Sequence, residues 1–410
     1  MSDPVKKITL KDGTVRYRFV VDIGRDPETD KRQQKTFTYD TRREARAEYD
    51  KVRHQSNEGT YVRPTKITVS EYLNDWLEGV TRDLRDSSKR SYSDALRPAH
   101  ERLGSTPVQR VSKADIERMV TWMATSGRRR GGKPGTGLGP RSIRLTLGRL
   151  NAAFEMAASE GLVPRNVVKL VKLPKYEPKE RDTWSQREVR MFLTKARTDR
   201  LYAGWRLSLY GLRRGEVLGL RWEEDVDFGS FAIACKKHQD RWCVGCYGLG
   251  AEYRPATIQV QQARVLVDGV IQIVPPKSRN GFRTLPLDVA VASALHELMV
   301  AQSAEKLAAG STYVDDGHVV VDELGSPVHP EWYSDEFGRL SKRAGVKRIV
   351  LHDGRHTTLS LMEKAGVPIS IVSRWAGHYD KAFTYSTYVH ASDDDLQTGT
   401  DALDKLYKID

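Results

Sequence analysis

Apolar positions along this chain recur with two different periods, and the change from one to the other divides it into units. Val15-Arg16-Tyr17-Arg18-Phe19-Val20-Val21 partly alternates apolar with basic residues, and Lys35-Thr36-Phe37-Thr38-Tyr39 resumes that alternation. Alternation with period two predicts half-exposed strands, with Arg16 and Arg18 on one face and Tyr17 and Phe19 on the other. Between the runs, Gly24-Arg25-Asp26-Pro27 supplies turn chemistry. Thr41 followed by Glu44 is a capping-box signature, so a helix is expected from about Arg42 to His54. After Arg63-Pro64 the period lengthens. Val69, Tyr72, Leu73, Trp76 and Leu77 stand at helical spacing, and further helical patterns are expected over about 87–101, 112–125, 140–160 and 164–170. Gly127-Arg128-Arg129-Arg130-Gly131-Gly132-Lys133-Pro134-Gly135 interrupts them as a basic, glycine-rich loop.

Pro174-Lys175-Tyr176-Glu177-Pro178-Lys179-Glu180 is a polar, proline-bounded linker. Beyond it the pattern mixes helices with strand-like runs at 226–233 and 256–267 and an insertion at about 235–255. The expected architecture is α+β and multidomain. A small β-sheet-plus-helix unit (1–63) precedes an all-helical unit (66–173), and a mixed α/β unit (182–400) ends in a tail (401–410).

Composition narrows the function class. Among 410 residues, 39% are hydrophobic and 30% charged, as in a globular protein and unlike a disordered chain. No apolar run approaches the ~18 residues of a membrane span, and the N-terminus lacks an apolar signal region, so a cytoplasmic protein without a membrane partner is expected. The 67 Lys+Arg against 54 Asp+Glu give a net charge of +13, which suits a polyanionic partner such as nucleic acid without establishing one. Arg16, Arg18 and Lys35 in the first unit are candidates to face phosphates. So are Lys89, Arg90, Arg128, Arg129, Arg130, Arg141 and Arg144 in the second.

The last unit carries a scattered set of charged residues in apolar surroundings. Gly211-Leu212-Arg213-Arg214-Gly215-Glu216 puts Arg213 and Glu216 three apart, on one face of an expected helix. Lys277 follows Pro275-Pro276 and precedes Arg283-Thr284-Leu285-Pro286-Leu287, as in a hairpin. His352 and Arg355 are again three apart in Leu351-His352-Asp353-Gly354-Arg355-His356, and Gly377-His378 precedes Tyr385 and Tyr388-Val389-His390. The order Arg, Lys, His-x-x-Arg, Gly-His, Tyr resembles the signature of the tyrosine recombinases, the phage-integrase family. Each piece is weak alone; the ordered set is specific. The resemblance is dense over about 200–390 and extends more loosely to the helical unit, which is similar to the family's core-binding domain. The first unit resembles the arm-binding domains of integrases.

By position, the resemblance implies that Arg213 and Arg355 grip the non-bridging oxygens of one DNA phosphate, a task suited to a permanently charged, planar fork of donors. Tyr388 becomes the nucleophile, forming a 3′-phosphotyrosine and expelling a 5′-hydroxyl; Tyr385 is the alternative. Lys277 gives a proton to that departing oxygen, His352 and His378 complete the cradle, and Glu216 orients Arg213. Gly354 stands where the family often has an apolar residue, which predicts looser packing there. The bond energy is kept in the phosphotyrosyl ester, so neither ATP nor a catalytic metal is implied, and no Walker motif occurs. The implied partners are double-stranded DNA with core and arm attachment sites, three further copies of the chain in a tetramer, and an accessory DNA-bending or excision-directionality protein. A type IB topoisomerase-like nicking–closing enzyme and a DNA-binding regulator with a vestigial site are the alternatives, with a zinc metallohydrolase a distant further one.

All three cysteines fall in one window, where Cys235, His238, Cys243 and Cys246 have the spacing of a tetrahedral structural zinc site. A redox pair and an unmetallated loop are the other readings. The tail, Ala402-Leu403-Asp404-Lys405-Leu406-Tyr407-Lys408, is amphipathic and either docks on a neighbouring protomer, as the resemblance implies, or frays.

Overall fold

The computed structural model describes residues 3–25, 32–57, 62, 64–129, 132–177, 181–229 and 254–377. Contacts divide the chain into two compact units, Met1–Pro178 and Lys179–Asp410. The α+β class expected from the sequence holds.

In the first unit, β1 (Lys6–Thr9), β2 (Val15–Arg25) and β3 (Arg32–Tyr39) form an antiparallel sheet in the order β1-β2-β3. Phe19 pairs with Phe37 and Tyr17 with Tyr39, so these aromatic side chains share one face. Phe19 and Phe37 stack at 5.0 Å, and Tyr49 of α1 (Arg42–Asn57) meets Phe19 edge-on at 5.4 Å. Helix α1 begins as its capping box requires: Glu44 N donates to Thr41 Oγ1, and Thr41 N to Glu44 Oε2. The register also separates the basic candidates. Lys35 pairs with Val21, which puts it on the aromatic face with its ammonium 5.4 Å from the Phe37 ring, whereas Arg16 and Arg18 lie on the opposite face.

The helices that follow in this unit are α2 (Val69–Thr81), α3 (Asp86–Leu103), α4 (Lys113–Thr125) and α5 (Pro140–Ser159). Val69, Leu73, Leu96, Ile116, Leu150 and Phe154 are buried between them, and the Tyr72 hydroxyl donates to the Ala153 carbonyl. The helix expected over 164–170 is only a 3₁₀ turn, Val167–Leu170. Asn166 accounts for the difference. Its side chain accepts from Val168 N while its amide nitrogen donates to Asn151 and Glu155, a local alternative to helix hydrogen bonding.

The second unit opens with α6 (Gln186–Ala196), α7 (Tyr202–Ser208), α8 (Arg214–Gly219) and α9 (Trp222–Asp225). Strand β4 (Val226–Asp227), β5 (Thr257–Val260), the hairpin β6 (Ala263–Val267)–β7 (Val270–Val274) and β8 (Arg283–Pro286) come next. Helices α10 (Val289–Ala309), α11 (Pro330–Arg343), α12 (Leu351–Lys364) and α13 (Ile369–Ala376) complete it. One sheet has the order β4-β5-β8, and β6-β7 stands apart. The single strand expected over 256–267 is thus two strands in two sheets. Gln261 and Gln262 leave the ladder between them: Gln261 bonds Glu224 and Asp225, and Gln262 the Gly219 carbonyl. The core is aromatic, with Trp205 stacked on Tyr333 at 4.2 Å and Trp184, Phe192 and Phe337 packed together. No helix among the described residues is long and apolar enough to cross a membrane.

Candidate active site

Arg213 is not inside a helix, as the i, i+3 spacing suggested, but is the residue that precedes α8. Its backbone N–H is one of the donors a helix start leaves unpaired, and Glu216, in the first turn, accepts it at 2.9 Å. The same carboxylate accepts Arg213 Nη1 at 2.7 Å. One glutamate therefore caps the helix and fixes the guanidinium. Glu216 is 4% exposed. Burial alone would raise its pKa. Hydrogen bonds from Arg283 and the charges of Arg283, Arg213 and Arg355 outweigh burial and hold it at about 2.

Arg355 lies in the first turns of α12 and is 2% exposed. Its Nη1 donates to the Gly211 carbonyl and its Nη2 to the Ala376 carbonyl, so the side chain bridges the turn before α8 to the end of α13. His352, one turn earlier, stands on the rim. Together with Arg213, Arg214, Ser334, Lys342 and Arg348 it lines a groove of about 960 Å³. The His352 ring is held below its ordinary pKa, first by partial burial and then by the positive charges of Arg355, Arg181 and Arg213. Both causes favour the uncharged imidazole over the cation. Three guanidiniums (Arg213, Arg283, Arg355) act on the single carboxylate of Glu216, so 3 − 1 leaves a local surplus of two positive charges. Arg213 carries that surplus to the groove it lines with His352, an arrangement that suits an anionic tetrahedral group.

Lys277 differs from expectation. The strand after it, β8, pairs with β5 and not with β7, so Lys277 lies exposed in the β7–β8 connection, three residues past the hairpin. Gly354 also differs: a Cβ there would meet Leu209 Cδ2 at 3.3 Å and Phe337 Cζ at 3.8 Å, so the position is closely filled. Helix α12 approaches α7 too closely for the expected looseness.

His378, Tyr385, Tyr388, Arg130, the Cys235–His238–Cys243–Cys246 window and the tail lie outside the described residues. Among the described residues no group of three or more His, Cys, Asp or Glu is placed to hold a metal. The basic candidates of the first unit divide by their partners. Arg128 closes its own loop by donating to Thr136 Oγ1 and the Gly137 carbonyl. Arg129 lies over Trp122 and pairs with Glu101, Arg90 pairs with Asp94, Arg16 with Asp40, and Arg144 donates to the Pro174 carbonyl. Arg18 bonds Thr38 across the strands. Lys89 and Arg141 are exposed on α3 and α5.

Sequence reasoning gave no role to Arg283 or His356. Arg283 is 5% exposed on its side chain and forks onto both oxygens of Glu216; its one sequence signal is a cation heading an apolar strand. His356 is buried one turn after His352, with the rings 5.0 Å apart and edge-on.

Residues 255–395 match the phage integrase family model. The chain is 26% identical over 97% of its length to a tyrosine recombinase XerC-like protein of Caldanaerobacter subterraneus subsp. tengcongensis, covering 98% of that protein. Among solved structures it resembles the Tn1549 transposon integrase in complex with a circular intermediate DNA. There the TM-score is 0.64 and the identity 20%, over 82% of this chain and 99% of that one. It also resembles a lambda integrase tetramer bound to a Holliday junction, with TM-score 0.52 and 16% identity over 95% and 97% of the two chains. The structural likenesses carry the fold. Residues 255–395 are a phage-integrase family domain, in a chain similar over nearly its whole length to a tyrosine recombinase, and the chain is a site-specific recombinase that cuts and rejoins DNA.

Proposed function

We propose that this recombinase cleaves each strand by holding one phosphodiester between Arg213 and Arg355 while Tyr388 attacks its phosphorus. The observation that carries the reading is that Arg213 and Arg355, from two distant segments, both act on the buried Glu216, while His352 feels the charges of the same two arginines. As Tyr388 Oη bonds to phosphorus, negative charge grows on the two non-bridging oxygens. Cations already in place favour that state over the ground state without reorganising. The phenol, with an ordinary pKa near ~10, must lose its proton; His352, whose uncharged form is favoured, is the group that takes it. The P–O5′ bond breaks as Lys277 delivers a proton to the leaving 5′ oxygen, for which an exposed loop position gives the needed reach. The product is a 3′-phosphotyrosine and a free 5′-hydroxyl, and the reverse reaction on a new 5′-hydroxyl completes exchange. His378 completes the phosphate cradle.

The wider assignments follow. The helical part of the first unit would track the core site through residues such as Lys89, Arg141 and Arg144. The sheet would engage arm sites with its Arg16 and Arg18 face. Four copies would assemble on two duplexes, in the manner of the lambda integrase tetramer, with an accessory protein setting direction. A zinc held by Cys235, His238, Cys243 and Cys246 would be structural and take no part in the chemistry.

A nicked substrate, which releases a short 5′-hydroxyl fragment on cleavage, tests the reading. The wild-type chain should accumulate a covalent DNA adduct, and Tyr388→Phe should bind the site and form none. An adduct with Tyr388→Phe overturns the nucleophile assignment. Binding without any adduct from the wild-type chain favours a regulator with a vestigial site.

A further inference from the structure

Arg283 opens β8 and is as buried as the carboxylate it contacts. Its Nη1 and Nη2 donate to Glu216 Oε1 and Oε2 at 3.1 and 2.8 Å, and its Nε donates to the Trp375 carbonyl at 2.8 Å. Its Nη1 also bonds the Gly281 carbonyl, at the end of the loop that carries Lys277. Arg355 takes the next carbonyl of α13, Ala376, and that of Gly211. The contacts close a ring: Arg213 to Glu216, to Arg283, to the end of α13, to Arg355, and back to the turn before Arg213. Gly377, where α13 ends, has φ +62°, and a Cβ there would lie 2.8 Å from the Asn280 carbonyl oxygen and 3.1 Å from Arg283 Nη1. The residue before His378 is thus seated directly on this guanidinium.

We propose that Arg283 is a positioning residue for strand cleavage that acts through Glu216 on Arg213. The proposal rests on the assignment of Arg213 to the phosphate. A carboxylate and a guanidinium prefer to meet fork to fork, through two parallel hydrogen bonds. Left alone with Arg213, Glu216 would take it in that way and turn its donors inward. Glu216 Oε2 takes Arg283 and the Arg213 backbone N–H, and Oε1 is shared by the two guanidiniums, so Arg213 makes a single side-chain bond to Glu216 and its side chain lines the groove. A lysine at 283 keeps the charge but not the fork; it cannot span two carboxylate oxygens and a carbonyl at once.

The test compares Arg283→Lys and Arg213→Ala in the full chain, on a nicked core site whose scissile phosphate is either natural or a methylphosphonate. The methylphosphonate lacks one charged oxygen and so needs one cation fewer. The rate ratio between the two substrates is taken within each variant, so a smaller folded fraction cancels. Misplacing a reacting group by about 1 Å can cost ~10²-fold, and Arg283→Lys should lose cleavage on that order on natural phosphate. The methylphosphonate should restore Arg213→Ala and Arg283→Lys in parallel, by about tenfold or more relative to wild type. If Arg213→Ala is restored and Arg283→Lys is not, Arg283 is structural and the proposal fails alone. If Arg213→Ala is not restored, the phosphate assignment falls, and this proposal with it.

Discussion

The two compact units use positive charge in opposite ways. In Lys179–Asp410, the guanidiniums of Arg283 and Arg355 are buried at 5% and 2% exposure, and each is tied to backbone carbonyls. Among the described residues of Met1–Pro178, Arg90 and Lys113 pair with Asp94 and Glu117 at the surface, Arg128 and Arg144 donate to carbonyls nearby, and Lys89 and Arg141 are exposed. A buried guanidinium is costly unless its partners are fixed, so a cluster of three around one carboxylate marks a place where a further anion is met in a set geometry. Cations exposed on a helix face, as Lys89 and Arg141 are, are screened by solvent and salt, so the role proposed for them is affinity.

The contrast is broken most directly by Arg355→Ala. Cleavage on a nicked substrate should fall at least ~10²–10³-fold, the usual effect of removing one preplaced transition-state donor, while site binding stays within a few fold. A loss confined to affinity would move Arg355 into the class of Lys89. Next in size is Glu216→Gln. Breaking a buried pair costs about 3–5 kcal/mol, so denaturant unfolding should show a loss of that order. The same pair sets a pH dependence. Because the folded pKa of Glu216 is depressed to about 2, its contribution is full above about 4.5 and is lost as pH falls toward about 2. Glu216→Gln should flatten that acid limb.

Smaller effects are expected in the first unit. Lys89→Ala and Arg141→Ala should each lower the slope of log affinity against log salt by about one and leave the cleavage rate of bound substrate unchanged. A changed cleavage rate with an unchanged slope would erase the distinction between the units. Smallest is Arg181→Ala. It removes one of the charges that hold His352 down, so the imidazole pKa, followed by NMR titration, should rise modestly toward its ordinary value. A fall would mean that Arg181 is not among the charges that hold the ring down.

Much of this was legible in the sequence, and what was missed has a common cause. Arg213, Glu216, His352 and Arg355, singled out by residue type and order alone, do lie close enough in the fold to act on one another's charge. The helix start at Arg42 was legible because capping is local, and that at Val69 because its apolar residues keep helical spacing. Backbone partners are not written in side-chain identity. Nothing in the sequence says that Arg355 seeks the carbonyls of Gly211 and Ala376, or that Arg283 meets Glu216 from 67 residues away. The face of Lys35 depended on its register with Val21, and the break between β5 and β6 on glutamines that bond helices α8 and α9. Gly354 was misread because an absent side chain looks like an absent contact, whereas here Leu209 and Phe337 fill the space.

One phenol is expected to capture the phosphorus held by Arg213 and Arg355. Proteolysis of the trapped DNA adduct, followed by sequencing of the DNA-linked peptide, identifies it. The expected result is a single modified residue, Tyr388. Linkage through Tyr385, through a serine, or through any residue outside that segment would contradict it.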